Sequence, residues 1–111
     1  NRNVLLMGGK YVKIEGNFFN DIPNPINDDT YGIKAVSTQG FVINGNSFTG
    51  SNGNSTSFFS YGIVAENTGQ KGGVIYNNNF LTSLDYGIQT QDDNQNLKIR
   101  CNKFAVTGNH R

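Results

Sequence analysis

Ile43-Asn44-Gly45-Asn46-Ser47-Phe48 decides how this chain folds, because its pattern occurs four times. The other copies are Ile14-Glu15-Gly16-Asn17-Phe18-Phe19, Ile75-Tyr76-Asn77-Asn78-Asn79-Phe80 and Ile99-Arg100-Cys101-Asn102-Lys103-Phe104. The shared rule is Ile, two positions, Asn, one position, Phe. The leading isoleucines stand at 14, 43, 75 and 99. A period of roughly 20–50 residues marks a repeat architecture in which each unit buries its apolar side only against its neighbours.

A second motif precedes three of the copies: Tyr31-Gly32-Ile33, Tyr61-Gly62-Ile63 and Tyr86-Gly87-Ile88. The step from Ile33 to Ile43, from Ile63 to Ile75 and from Ile88 to Ile99 is nearly constant. The same step back from Ile14 reaches Val4, so Val4-Leu5-Leu6 fills that slot in a degenerate first copy. The passage from each Phe to the next Tyr varies more. Phe19 to Tyr31 and Phe48 to Tyr61 are long, whereas Phe80 to Tyr86 is short. Insertions therefore collect at one corner, which holds Ile22-Pro23-Asn24-Pro25 and Gly50-Ser51-Asn52-Gly53-Asn54-Ser55. Both read as surface loops.

Each motif reads as a short strand. Ile33 and Ala35, or Ile63 and Ala65, share a face by the period of two. Leu97, Ile99 and Cys101 alternate with Lys98 and Arg100, which places Cys101 inside. No window carries apolar residues at helical spacing. The repeat is thus one turn of a coil with two or three short strands. Stacked turns pair in parallel, with like residues about 4.8 Å apart. Ile14, Ile43, Ile75 and Ile99 form an aliphatic ladder. Phe19, Phe48, Phe80 and Phe104 form an aromatic one, and Tyr31, Tyr61 and Tyr86 a third column. Asn17, Asn46, Asn78 and Asn102 fall at a bend, where Asn tolerates left-handed dihedrals and its amide can bond to its counterparts.

Composition agrees with a polar repeat. Hydrophobic residues make up 35% and charged residues 15%, with 14 Gly. Nine Lys+Arg against eight Asp+Glu leave a formal charge of +1, with no basic patch for nucleic acid. No apolar run reaches the roughly 18 residues of a membrane span. The single Cys cannot form an internal disulfide. Asn1 falls inside a repeat, and neither end carries a capping helix. The chain is therefore expected to continue into further coils or to associate end to end.

The paired motifs resemble the repeats of right-handed parallel β-helix proteins, the pectate-lyase-like superfamily, over essentially the whole chain. The resemblance implies an all-β, right-handed solenoid of about four coils, near 1–30, 31–60, 61–85 and 86–111, as a single domain or an excerpt of a longer one. The Ile-x-Cys-Asn-x-Phe form of the last copy is also similar to repeats of secreted bacterial cell-surface proteins, which implies a secreted or surface location. Known enzymes of the superfamily act on polysaccharides.

The outward columns are Lys13, Val42, Val74, Lys98, then Glu15, Asn44, Tyr76, Arg100. On the other strand they are Lys34, Val64, Gln89, then Val36, Glu66, Gln91. No pair of carboxylates faces one cleft as glycoside hydrolysis requires. Asp28-Asp29 and Asp92-Asp93 lie in separate loops and read as turn residues. The best cluster for a glycan is Tyr76, Lys98, Arg100, Asp92 and Asp93, with Tyr76 beside Arg100 as a stacking platform. No catalytic residue, metal ligand or cofactor is assigned. The expected function is a non-catalytic scaffold that displays loops and binds glycan. The alternative is a fragment of a polysaccharide lyase or glycoside hydrolase.

Overall fold

The computed structural model describes residues 3–22, 28–50, 58–69, 71–81 and 83–105. Each sequence repeat contributes three short strands. The first gives β1 (Val4–Met7), β2 (Lys13–Glu15) and β3 (Phe18–Ile22). The second gives β4 (Thr30–Val36), β5 (Phe41–Asn44) and β6 (Ser47–Gly50). The third gives β7 (Ser60–Glu66), β8 (Gly73–Tyr76) and β9 (Asn79–Phe80). The fourth gives β10 (Tyr86–Gln91), β11 (Lys98–Arg100) and β12 (Lys103–Phe104). No helix occurs among the described residues.

The strands sort into three parallel sheets of four, ordered β1-β4-β7-β10, β2-β5-β8-β11 and β3-β6-β9-β12. Every pairing joins corresponding strands of successive repeats, which is consistent with a parallel β-solenoid. Register follows the motifs. Val4 lies beside Ile33, Ile33 beside Ile63, and Ile63 beside Ile88. Ile14, Ile43, Ile75 and Ile99 line up in the second sheet. All the outward columns read from the sequence are register columns here.

The core lies between the sheets. Ile33, Ile43, Ile63, Ile75, Ala35, Ala65 and Phe48 are fully buried. The four phenylalanine rings stack at 4.9, 5.0 and 4.9 Å with interplanar angles of 7°, 9° and 9°. This spacing is the strand spacing, so the backbone ladder sets the ring contact.

The asparagines form a directional ladder. The backbone N–H groups of Asn17, Asn46 and Asn78 donate to the Oδ1 of Asn46, Asn78 and Asn102, each at 2.9 Å. The Nδ2 groups of Asn46, Asn78 and Asn102 donate back to the carbonyls of Ile14, Ile43 and Ile75 at 2.9, 3.0 and 3.0 Å. Asn46 and Asn78 are wholly buried, and both are satisfied in this way.

Three local expectations are corrected. The left-handed residue at this bend is the one before each ladder Asn: Gly16, Gly45, Asn77 and Cys101, at φ 67°, 69°, 56° and 58°. The Asn itself serves through its amide. Cys101 is exposed, because β11 ends at Arg100 and the left-handed turn takes Cys101 out of the alternation. Ile22 belongs to β3 and is buried, so the surface loop begins after it. The loop positions 23–25 and 51–55 lie outside the described residues.

Candidate functional site

The glycine of each Tyr-Gly-Ile motif sets up the outer surface of the first sheet. A Cβ added at Gly32, Gly62 or Gly87 would lie 2.7, 2.6 or 2.5 Å from the ring of Phe48, Phe80 or Phe104. The glycine therefore takes the core-facing place, with its hydrogen against the phenylalanine stack. With Gly32 and Ile33 both against the core, Tyr31 lies on the same side as Lys34. The Lys34 Nζ lies 5.9 Å from the centre of the Tyr31 ring and 3.9 Å from Glu66 Oε2.

Beside them is a cavity of about 100 Å³, lined by Asp28, Asp29, Tyr31, Lys34, Tyr61, Val64 and Gln91. Three repeats contribute to it. Asp28 and Asp29 precede β4, Tyr31 and Lys34 lie on it, Tyr61 and Val64 on β7, and Gln91 closes β10. Val64 faces outward by register with Lys34, yet only 5% of it is exposed. The acidic turn is braced from within: Asp28 Oδ1 accepts from Asp29 N at 2.8 Å, and Asp29 Oδ1 accepts from Phe59 N at 2.7 Å. On the next repeat Asp85 Oδ2 accepts from Ser60 N at 2.8 Å.

Tyr61 stacks on Tyr86 at 5.4 Å and 17°. Burial above all, then the charges of Asp29, Tyr86 and Asp85, push its phenol above the ordinary 10.0. Its hydroxyl therefore stays neutral in any physiological medium. The lining offers acceptors on Asp28 and Asp29, donors on Lys34 and Tyr61, both on Gln91, and an apolar floor on Val64. Such a lining can hold a small polar molecule through several hydrogen bonds at once.

The five residues singled out from the sequence lie elsewhere, on the second sheet and its approach. Arg100 pairs with Tyr76 in register, and its guanidinium carbon stands 5.7 Å from the Tyr76 ring centre. Lys98 is exposed on the same strand, beside Val74. Asp92 and Asp93 occupy the corner between β10 and β11. Asp92 is left-handed at φ 61°, in one column with Gly8, Ser37 and Asn67 at 68°, 51° and 51°. Asp93 Oδ1 accepts from Gln95 N at 3.2 Å. The structure thus joins Tyr76 to Arg100 and gives the two aspartates turn roles. Among the described residues the ion pair seen is Lys34–Glu66, and no group of three or more His, Cys, Asp or Glu is placed to hold a metal.

Asn94 organises that corner and was not singled out from the sequence. Its Oδ1 accepts from Thr68 N at 3.1 Å and Thr68 Oγ1 at 2.7 Å, and its Nδ2 donates to Gln91 O at 2.6 Å. A further Tyr–cation pair joins Tyr11 to Lys71, whose Nζ donates to the phenol oxygen at 3.2 Å.

The fold and the cavity together define an all-β protein of parallel sheets with a polar cleft on one outer face. Comparison with protein-family models, with curated proteins and with solved structures gave no match.

Proposed function

We propose that the chain is a non-catalytic module of a secreted or cell-surface protein: a right-handed parallel β-helix of about four coils, of the pectate-lyase-like kind, that displays corner loops and binds glycan on its outer faces. Right-handedness follows the general rule for parallel crossovers within one sheet, obeyed in about 98% of cases. The observation that carries the binding reading is the cavity over β4 and β7. A sugar ring presents hydroxyls around its rim and C–H groups on its faces. The lining matches this with carboxylates, an amide, an ammonium and a phenol around Val64 and the edges of two tyrosines. The exposed Tyr76–Arg100 pair is a second, shallower platform for the same ligand class.

Titration with neutral and uronic oligosaccharides, followed by backbone amide shifts, tests this. Binding should move the amides of β4 and β7, and Tyr31→Ala should weaken it about tenfold, or about 1.4 kcal/mol. Tyr76→Ala reports on the second platform in the same way. Absence of shifts with every oligosaccharide would remove the binding reading. Turnover abolished by Arg100→Ala would remove the non-catalytic one.

A further inference from the structure

The cavity over β4 and β7 carries more acid than base. Its lining holds two carboxylates, Asp28 and Asp29, against one ammonium, Lys34. That ammonium already has a counter-charge, since Glu66 Oε2 lies 3.9 Å from Lys34 Nζ. Each aspartate uses its Oδ1 to accept a backbone N–H, Asp28 from Asp29 and Asp29 from Phe59. The Oδ2 of each has no partner among the described residues. The Tyr61 phenol registers the negative field: burial first, then Asp29, Tyr86 and Asp85 raise it above its ordinary value.

The uncharged lining suits a cation as well. Tyr31 already takes one on its ring, where Lys34 Nζ stands 5.9 Å from the centre. Gln91 and the Tyr61 phenol add oxygens that accept from N–H donors, and an ammonium has three such donors to share out. A metal ion is a poorer guest, because no group of three or more His, Cys, Asp or Glu among the described residues is placed to hold one. Size narrows the choice further. The cavity of about 100 Å³ is well below the roughly 300–1,000 Å³ that encloses a drug-sized ligand. It admits one edge of a sugar ring with its substituent.

We infer that the cavity selects glycans that carry a free amino sugar, with Asp28 and Asp29 holding the protonated amine and the ring edge lying toward Val64 and the tyrosines. The inference rests on the glycan reading of the same cavity and adds the sign of the charge it takes. A uronic acid would bring its carboxylate against Asp28 and Asp29, like against like. A neutral sugar leaves the two Oδ2 atoms without a counter-charge. An N-acetylated sugar lacks the charge and adds bulk to a small cavity. A lysine side chain carries the same ammonium, but it brings no hydroxyls to Gln91 and no ring to Val64.

Calorimetric titration with matched tetrasaccharides tests the inference, in a buffer where the sugar amine is protonated. The ligands are β-1,4-linked glucosamine, its N-acetylated counterpart, glucose and galacturonate, with amide shifts of β4 and β7 to locate each. The glucosamine oligomer should bind about tenfold tighter than either neutral one, the scale of a charge-assisted hydrogen bond. Galacturonate should bind weakest. Asp28→Asn combined with Asp29→Asn keeps both Oδ1 acceptors, and with them the turn. It should bring the glucosamine oligomer down to the N-acetylated level. The wild-type comparison decides the matter even if that variant loses its fold. Trilysine, an ammonium without a sugar, should bind more weakly than the glucosamine oligomer; tighter binding would overturn the sugar as ligand. Equal affinity for the free-amine and N-acetylated oligomers, both shifting β4 and β7, would overturn the charge selection and leave glycan binding standing. Tighter galacturonate would do the same. No shift with any oligosaccharide would overturn both readings.

Discussion

Asn78 makes three kinds of contact at once: its Oδ1 accepts from the backbone and side chain of Asn46, its Nδ2 donates to Ile43 O and Asn102 Oδ1, and its own N–H donates to Asn102 Oδ1. Truncating it strands the Asn46 N–H in the interior, whose acceptor is Asn78 Oδ1. A stranded buried group costs about 1–3 kcal/mol. Asn78→Ala should therefore lower the urea midpoint much more than Asn17→Ala, at an exposed bend. Equal losses would show that the ladder is not held by these bonds. The column before it makes the opposite case. Cys101 holds a left-handed φ of 58° that Gly16 and Gly45 adopt without strain. Cys101→Gly should stabilise the protein by about 1 kcal/mol, the scale of the left-handed penalty for a residue with a Cβ. As an exposed thiol, Cys101 should also react with a thiol reagent without denaturant. The sequence made the Asn column legible because its offset from Ile and Phe is constant. It did not reveal which of two neighbouring residues carries the left-handed turn. Gly, Asn and Cys share that column, and only the backbone distinguishes a residue that bends from one that braces the bend.

At the scale of the element, the first and third sheets are fitted to each other through Gly and Phe. Gly62→Ala would put a methyl 2.6 Å from the Phe80 ring and 2.7 Å from the Gly87 carbonyl. Overpacking of this kind costs about 1–3 kcal/mol. In a double-mutant cycle with Phe80→Leu part of that loss should disappear, since the two sites are in contact. Alternation put Ile33 and Ala35 on one face but does not reach Gly32, because the pattern records the size of side chains and says nothing of a glycine that faces inward. The strand β7 carries a second test. Tyr61 keeps its proton to higher pH in the folded chain than in the unfolded one, where the ordinary value is 10.0. The unfolded state then binds fewer protons in the window above that value, so stability falls with rising pH there. The stabilisation is complete below about pH 10 and is lost as pH rises through the elevated folded value. Thermal midpoints from pH 9 upward should drop more steeply for the wild type than for Tyr61→Phe. Matching slopes would mean that the phenol is not held back by burial and by Asp29.

For the molecule as a whole, the stack should be firm in the middle and looser at its last repeat. Phe48 lies between two rings and is fully buried, while Phe104 has one neighbouring ring and is half exposed. Phe48→Ala should cost about 3–5 kcal/mol, the range for a buried aromatic, and Phe104→Ala clearly less. Equal losses in chemical denaturation would contradict that gradient. The global plan was legible in the sequence because parallel stacking puts like on like, so Ile, Asn and Phe recur at fixed offsets. The cavity was not legible. Asp28, Tyr61 and Gln91 come from three repeats and meet only through the register of the sheets. A column reading takes one position at a time and cannot see a cleft that crosses columns. Tyr76 and Arg100 were found because they share a single column.

The variable corner between Phe and Tyr has a practical corollary. The ring separations stay at 4.9, 5.0 and 4.9 Å although the corner is long from Phe19 to Tyr31 and from Phe48 to Tyr61 and short from Phe80 to Tyr86. Closure entropy rises by only about 0.6 kcal/mol for each doubling of a flexible segment. The short passage after Phe80 is therefore a natural grafting port, where a guest peptide of similar length to the longer corners can be spliced in while the solenoid beneath keeps its shape.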